Sequence, residues 1–275
     1  MLFVIRPNPR KAEAMDFVAP LGEMIEACGA KYMVYTAADC IPDDMLDKAD
    51  CVVVLGGDGT ILRAARDIFP RQIPLLGINF GHLGYLAQVG PEEALQAIKD
   101  VVAGEYQIEK RAVLEGNISG ERDILAVNEV CINRGNRRHM TKTRIEINGS
   151  HIDTFTGDGM LICTATGSTA YNQNAGGPIL MPCAENAVIT PICAMTFIGS
   201  SLVTCPQDEI FIRIEKDSVR ETGSPVLLTD GRETVELKTG DTVTLRISSN
   251  KINMIKLKDH SFYRIIRQRL LASDE

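Results

Sequence analysis

Residues suited to chemistry gather first at Gly56-Gly57-Asp58-Gly59-Thr60, where three glycines surround one carboxylate. Glycine lets backbone N–H groups turn tightly and come close to an anion. A carboxylate in such a cradle repels phosphate. Asp58 therefore makes chemical sense there as a base, taking the proton of a hydroxyl about to attack that phosphate. The plainer alternative is a tight turn whose aspartate only caps a helix. Before the turn, Cys51-Val-Val-Val-Leu55 reads as a strand buried on both faces. After it, Ile61–Phe69 carries apolar residues at helical spacing, with Thr60 placed as the N-cap. Strand, glycine turn and helix N-terminus together make an anion site built from backbone.

A second constellation lies at 156–177, where Thr166, Ser168 and Thr169 offer hydroxyls and amides and Tyr171 a flat ring with a polar tip. That combination suits a nucleoside, its base on the ring and its hydroxyls held by Ser/Thr. The competing reading is a Ser/Thr-rich helix cap with a core tyrosine. Asn128-Glu129 interrupts the apolar run Ile124–Ile132. Buried polar groups need partners, and a carboxylate beside an amide is a grip for paired ribose hydroxyls. An edge-strand bulge facing water is the alternative.

The elements around these residues fall into two patterns. Leu2–Ile5, Lys31–Thr36, Cys51–Leu55 and Pro74–Asn79 read as strands. They alternate with a helical stripe over Arg10–Gly29, kinked or started late by Pro20, and with a helix over Pro91–Ala103 closed by Gly104. Such alternation means βαβ units, a parallel sheet and ligands beyond the carboxyl ends of strands. The glycine-punctuated loop Asn79–Leu86 qualifies as such a place, as does the loop after Leu55. From Tyr106 to residue 257 the runs become short, β-branched and separated by turn signals such as Asn148-Gly149 and Thr229-Asp230-Gly231, the pattern of an antiparallel sandwich or barrel. His260–Ala272 returns to helical spacing and is placed as a closing helix on the first domain. The expected fold class is α/β + β: a Rossmann-like α/β domain at 1–104 plus 259–275, and a β-rich sandwich domain at 105–258.

The net charge of −7 argues against general nucleic-acid binding and requires any polyanion site to rely on local donors and a divalent cation. No apolar run approaches the ~20 residues of a membrane span, so a cytoplasmic protein without a membrane partner is expected. The eight cysteines form no Cys-x-x-Cys and accompany no metal-spaced His pair, so reduced, mostly buried thiols are expected and no structural metal.

Gly56-Gly-Asp-Gly-Thr60, Asn79-Phe-Gly-His-Leu-Gly-Tyr-Leu86, Asn128-Glu129 and Thr166-Gly-Ser-Thr-Ala-Tyr171, in this order and at this spacing, resemble the ATP-NAD kinase family, particularly its compact bacterial members. Gly-Gly-Asp-Gly-Thr alone is shared with diacylglycerol and sphingosine kinases; the last two motifs are more specific. The resemblance implies transfer of the γ-phosphoryl of ATP, or in some members polyphosphate, to the 2′-hydroxyl of NAD's adenosine ribose, with Mg²⁺ accompanying ATP. It implies Asp58 as proton acceptor, Gly57, Gly59 and Thr60 on the phosphate side with Arg63 in support, and Phe80 in the second glycine loop. It implies that Asn128 and Glu129 hold the dinucleotide. Thr166, Ser168, Thr169, Ala170 and Tyr171 then form the adenosine turn, with Asn174 beyond and Asp158 toward the nicotinamide from a neighbouring subunit of a homo-oligomer, dimer or tetramer. Two departures stand out. Many compact relatives carry Arg where this chain has Thr156, which leaves NAD against NADH open, and often Pro where it has Ala165. His82 is expected to be structural, and His139 to sit in a solvated loop.

Overall fold

The computed structural model describes residues 1–37, 39–81, 84–87, 89–136, 139–195, 200–216, 223–257 and 262–272. The chain divides into two compact units, Met1–Lys110 with Lys251–Glu275, and Arg111–Asn250.

The first unit is a six-stranded sheet with helices. Its strands run in the order Lys31–Val34, Leu2–Pro7, Cys51–Gly56, Leu75–Asn79, Ile252–Lys256, Gln107–Arg111. The pairings from Lys31–Val34 through Ile252–Lys256 are parallel. Cys51–Gly56 lies between two neighbours and all six of its residues are buried, as its unbroken apolar run requires. The N-terminal helical stripe is two helices, Ala12–Asp16 and Val18–Ala27, meeting at Phe17. Pro20 sits in the first turn of the second, where its missing N–H costs nothing, and Gly29 ends the segment at φ 75°. Helix Ala94–Ala103 is led by a 3₁₀ turn at Pro91–Glu93 and closed by Gly104 in the left-handed region. Helix Phe262–Ala272 joins the same unit. Phe262 and Ile265 pack on Tyr85, with the Tyr85 and Phe262 rings 5.9 Å apart.

The second unit holds two further six-stranded sheets. One is ordered Ser150–Gly157, Thr141–Ile147, Glu209–Ile214, Thr242–Ile247, Leu114–Ile118, Arg122–Ala126. The other is ordered Leu202–Val203, Val188–Ile192, Gly159–Cys163, Glu129–Asn133, Val226–Thr229, Glu233–Glu236. One apolar cluster draws on both, with Ile145, Ile212 and Leu245 from the first and Val130, Ile162 and Leu227 from the second. The unit is a sandwich.

Three expectations change. Strands Gln107–Arg111 and Ile252–Lys256 belong to the parallel sheet, so the units divide at 110/111 and 250/251 and not at 104/105 and 258/259. Neither Gln-Ile-Glu-Lys-Arg nor Ile-Asn-Met-Ile-Lys carries the unbroken apolar run of a buried parallel strand, which is why composition could not place the switch. Next, Ile124–Ile132 is not one strand: the chain leaves one sheet at Ala126 and enters the other at Glu129, so Asn128 sits at a sandwich corner. Finally, all eight cysteines are free thiols, but Cys40, Cys183, Cys193 and Cys205 are exposed. Burial raises the Cys131 thiol to about 11 and the Cys163 thiol to about 12. Among the described residues no helix is long and apolar enough to cross a membrane.

Candidate active site

In the first unit the site begins at Gly57, whose extended backbone makes it the N-cap of helix Asp58–Ile68. Thr60 therefore lies inside the first turn and does not cap it. Its hydroxyl instead accepts a hydrogen bond from Asn8 Nδ2 at 3.1 Å, linking the turn to the end of the neighbouring strand. Gly57 faces open space where a side chain would stand. The Asp58 carboxylate is held by backbone. Tyr85 N–H donates to Oδ2 at 2.7 Å, and Leu86 and Ala87 N–H donate to Oδ1 at 3.1 and 3.2 Å. A Cβ at Gly84 would lie 2.0 Å from Oδ1, so only glycine lets the loop come this close. A carboxylate offers about four lone-pair directions, so three amide bonds orient it and leave one for a further donor.

The other candidates of this unit divide. Phe80 N–H donates to Gly56 O at 3.2 Å, which ties the second glycine loop to the first, while its ring is buried on Phe17 at 5.3 Å between centroids. That ring serves the core. Arg63 is half-buried, and its charge acts on Asp67, one turn further along the helix, where burial raises the carboxyl and Arg6 and Arg63 draw it down. His82 lies outside the described residues.

In the second unit the Thr166 turn and the Asn128 corner are side by side. Thr164 N–H donates to Asn128 O at 2.9 Å and Thr164 Oγ1 donates to Val127 O at 2.6 Å. Asn128 Oδ1 and Glu129 Oε2 are buried acceptors without a hydrogen-bond partner among the described residues. Such groups carry a desolvation cost until a donor reaches them. Burial first, then the nearby Asp230 charge, raises the Glu129 carboxyl to about 7. Tyr171 is 44% exposed, its hydroxyl raised by burial and then by the charges of Cys131, Cys193 and Asp158. Asp158 pairs with Arg134 at 3.2 Å. Thr169 and Ala170 are half-buried and Asn174 is exposed.

Two hydroxyls expected to face a nucleoside are used internally. Ser168 is fully buried; its Oγ donates to Ala165 O at 2.6 Å and accepts Leu180 N–H at 3.0 Å. Thr166 is 6% exposed and accepts from Arg111 Nη1 at 3.4 Å. Both build the turn. His139 is exposed, as a solvated loop requires; Arg137 and Arg138 lie outside the described residues.

Sequence reasoning missed two supports. Asp230, at φ 49°, accepts N–H groups of Val127, Asn128 and Glu129 at 3.1, 2.7 and 3.2 Å and donates its own N–H to Glu129 O at 2.9 Å. Its only signal was a Thr-Asp-Gly turn, and nothing local says what that turn holds. Asn172, fully buried, accepts from Thr190 Oγ1 at 2.6 Å and donates to Pro178 O at 3.0 Å. It is the post behind the Thr166–Asn174 segment.

These are the parts of a nucleotide-dependent phosphotransferase, with a glycine turn at a strand end, a carboxylate fixed by backbone amides and a polar turn. Residues 6–106 match the ATP-NAD kinase N-terminal domain and residues 127–257 the ATP-NAD kinase C-terminal domain. The chain belongs to the ATP-NAD kinase family. An NAD kinase of Lachnoclostridium phytofermentans is 33% identical, covering 97% of this chain and 98% of its own. One of Carboxydothermus hydrogenoformans is 37% identical, over 83% of this chain and 81% of its own. Among solved structures, yeast NADH kinase complexed with NADH has a TM-score of 0.86 at 24% identity, covering 98% of this chain and 87% of that one. An Archaeoglobus fulgidus NAD kinase in complex with ATP has a TM-score of 0.80 at 23% identity, covering 98% of each chain. Both share the fold.

Proposed function

We propose that Asp58 accepts the proton of the ribose hydroxyl in the reaction that this chain, as an NAD kinase, carries out: transfer of the γ-phosphoryl of ATP to the 2′-hydroxyl of NAD's adenosine ribose, giving NADP. The observation that supports this role is the carboxylate itself, fixed by three backbone amides at a glycine turn with one acceptor direction left. Phosphoryl transfer asks mainly for alignment and charge stabilisation. The glycine turn at Gly57 and Gly59 is suited to the close approach of phosphates, with Arg63 one helical turn on. Asn128 and Glu129, each with an unpartnered buried oxygen, are suited to hydroxyl donors of the dinucleotide. Thr169, Ala170 and Tyr171 line the adenosine, with Asn174 beyond, and Asp158 lies toward the nicotinamide.

Magnesium fits as a companion of ATP. Among the described residues no three His, Cys, Asp or Glu gather into a metal cage. Mg²⁺ characteristically keeps several waters and binds through substrate phosphates, so it fits here as a companion of the ATP phosphates, the last acceptor direction of Asp58 being kept for the ribose hydroxyl. Bound there, it would neutralise charge on the phosphates. We also take the protein to be a homo-oligomer. Leu202 and Val203, at the edge of one sheet of the sandwich, expose apolar side chains suited to burial against a second copy.

Glu129 sets an expected pH dependence. Ionised, the carboxylate accepts on both oxygens, whereas protonation turns one of them into a donor; with the carboxyl raised to about 7, the ionised fraction rises from about a tenth at pH 6 to about nine tenths at pH 8. The KM for NAD should fall severalfold across that interval, and Glu129→Gln should flatten the profile. Initial rates at a series of pH values check this. An unchanged slope in the Gln variant removes Glu129 from the hydroxyl grip.

The proposal as a whole is tested by incubating the purified protein with ATP and Mg²⁺ and with NAD, NADH or diacylglycerol as acceptor. NADP or NADPH should form, and phosphorylation of the lipid in preference to the dinucleotides would overturn it.

A further inference from the structure

The Asp58 carboxylate owes its orientation to a loop, and that loop owes its position to the far end of the chain. Tyr85, Leu86 and Ala87 present their N–H groups to the carboxylate from three successive residues. Gly84 adds no side chain, so the loop lies directly against the carboxylate oxygens. These bonds grip only if the loop is anchored on its other side; Leu86 and Ala87 are buried there, and the Tyr85 ring adds an anchor of its own. It is 8% exposed and packs on Phe262 and Ile265, each of them buried, with Ile266 beside them. The Tyr85 and Phe262 rings are 5.9 Å apart and tilted by 49°, within the range of favourable aromatic pairs. Among the described residues the cluster is small and separate from the large apolar core of the sheet and its helices. The shortest of the three bonds to Asp58 comes from the residue so anchored.

We infer that helix Phe262–Ala272 is part of the catalytic apparatus: through the Tyr85 contact, Phe262 and Ile265 are positioning residues for the Asp58 carboxylate. This rests on the proposed role of Asp58 and deepens it. Truncating Phe262 removes no group that touches substrate but loosens the loop at Tyr85, and with it the carboxylate. A displacement of about 1 Å in a reacting group can cost up to about a hundredfold in rate. Ground-state binding of ATP and NAD depends on other residues and should survive.

The test is a double-mutant cycle in the full-length protein. Phe262→Ala is expected to lower kcat about tenfold or more while the KM values for ATP and NAD stay within about twofold. Phe262→Leu, which refills most of the contact, should restore kcat to within about threefold. In an Asp58→Asn background Phe262→Ala should cost less than about twofold further, because the group it positions is already gone. Ile25→Ala, in the main core of the same unit, controls for general loosening; it should lower Tm comparably and leave kcat within about twofold. Ile265→Ala gives an independent cut of the same contact should Phe262→Ala fold poorly. The inference is overturned if Phe262→Ala retains wild-type kcat, if the Ile25→Ala control loses as much, or if the full cost persists beside Asp58→Asn. The two claims separate cleanly. A fully active Asp58→Asn ends the proton-acceptor role itself, whereas an inactive Asp58→Asn beside a fully active Phe262→Ala ends only the positioning role.

Discussion

Gly167→Ala is expected to lower the melting temperature by roughly 5 °C or more and to raise the KM for NAD about tenfold. The added methyl would stand 2.1 Å from Asn128 O, 2.5 Å from its carbonyl carbon and 2.8 Å from its Cα. All three atoms are backbone, so no side chain can swing away. Nor can the two segments part freely. Thr164 joins them, its N–H donating to Asn128 O, its hydroxyl donating to Val127 O and accepting Gly167 N–H at 3.2 Å. Asp230 pins the corner from the other side with bonds to three successive amides. Overpacking a rigid site costs about 1–3 kcal/mol, sometimes more, and each kcal/mol is worth about 2–4 °C in a chain of this size. Whatever relaxation occurs moves Asn128 and Glu129, the proposed grip on the dinucleotide, hence the expected effect on NAD; kcat should change less. Thermal melts and steady-state kinetics of the one variant read both effects. A melting point within a degree of wild type and an unchanged KM would mean that corner and turn do not depend on each other.

The two units differ in how much of them could be read beforehand, and the difference is physical. In the first, buried parallel strands announce themselves by unbroken apolar runs, and Gly29 and Gly104 mark helix ends because only glycine takes the left-handed backbone cheaply. The strand–turn–helix at Gly56–Thr60 was legible for the same reason, down to Asp58 at its start. Its cap was misplaced, since an extended glycine can cap a helix with no side-chain signature. In the sandwich, strands could be counted but not assigned to sheets, because the pairing partners lie far away in the chain. Arg122–Ala126 and Glu129–Asn133 looked like one strand for that reason. Side-chain direction was equally hidden. Nothing in Thr-Gly-Ser-Thr says that Ser168 turns inward to Ala165 O and Leu180 N–H, and nothing in Thr-Asp-Gly says that Asp230 reaches back a hundred residues to hold the corner.

The account turns on Asp58, and Asp58→Asn is the second substitution with a large expected effect. Asparagine keeps the shape and can still accept from Leu86 and Ala87 through its oxygen. Its amide nitrogen would face Tyr85 N–H and lose one bond, a cost of about 1 kcal/mol that the fold can bear. Proton acceptance is lost outright. A positioned general base contributes about 10²–10⁴-fold, so kcat should fall by that factor with folding intact. Steady-state rates alone could hide slow product release, so the decisive measurement pairs calorimetry of NAD binding with single-turnover formation of NADP at saturating ATP and Mg²⁺. The expected result is a Kd for NAD within about threefold of wild type and a chemical step slower by at least about a hundredfold. A chemical step within threefold of wild type would contradict it.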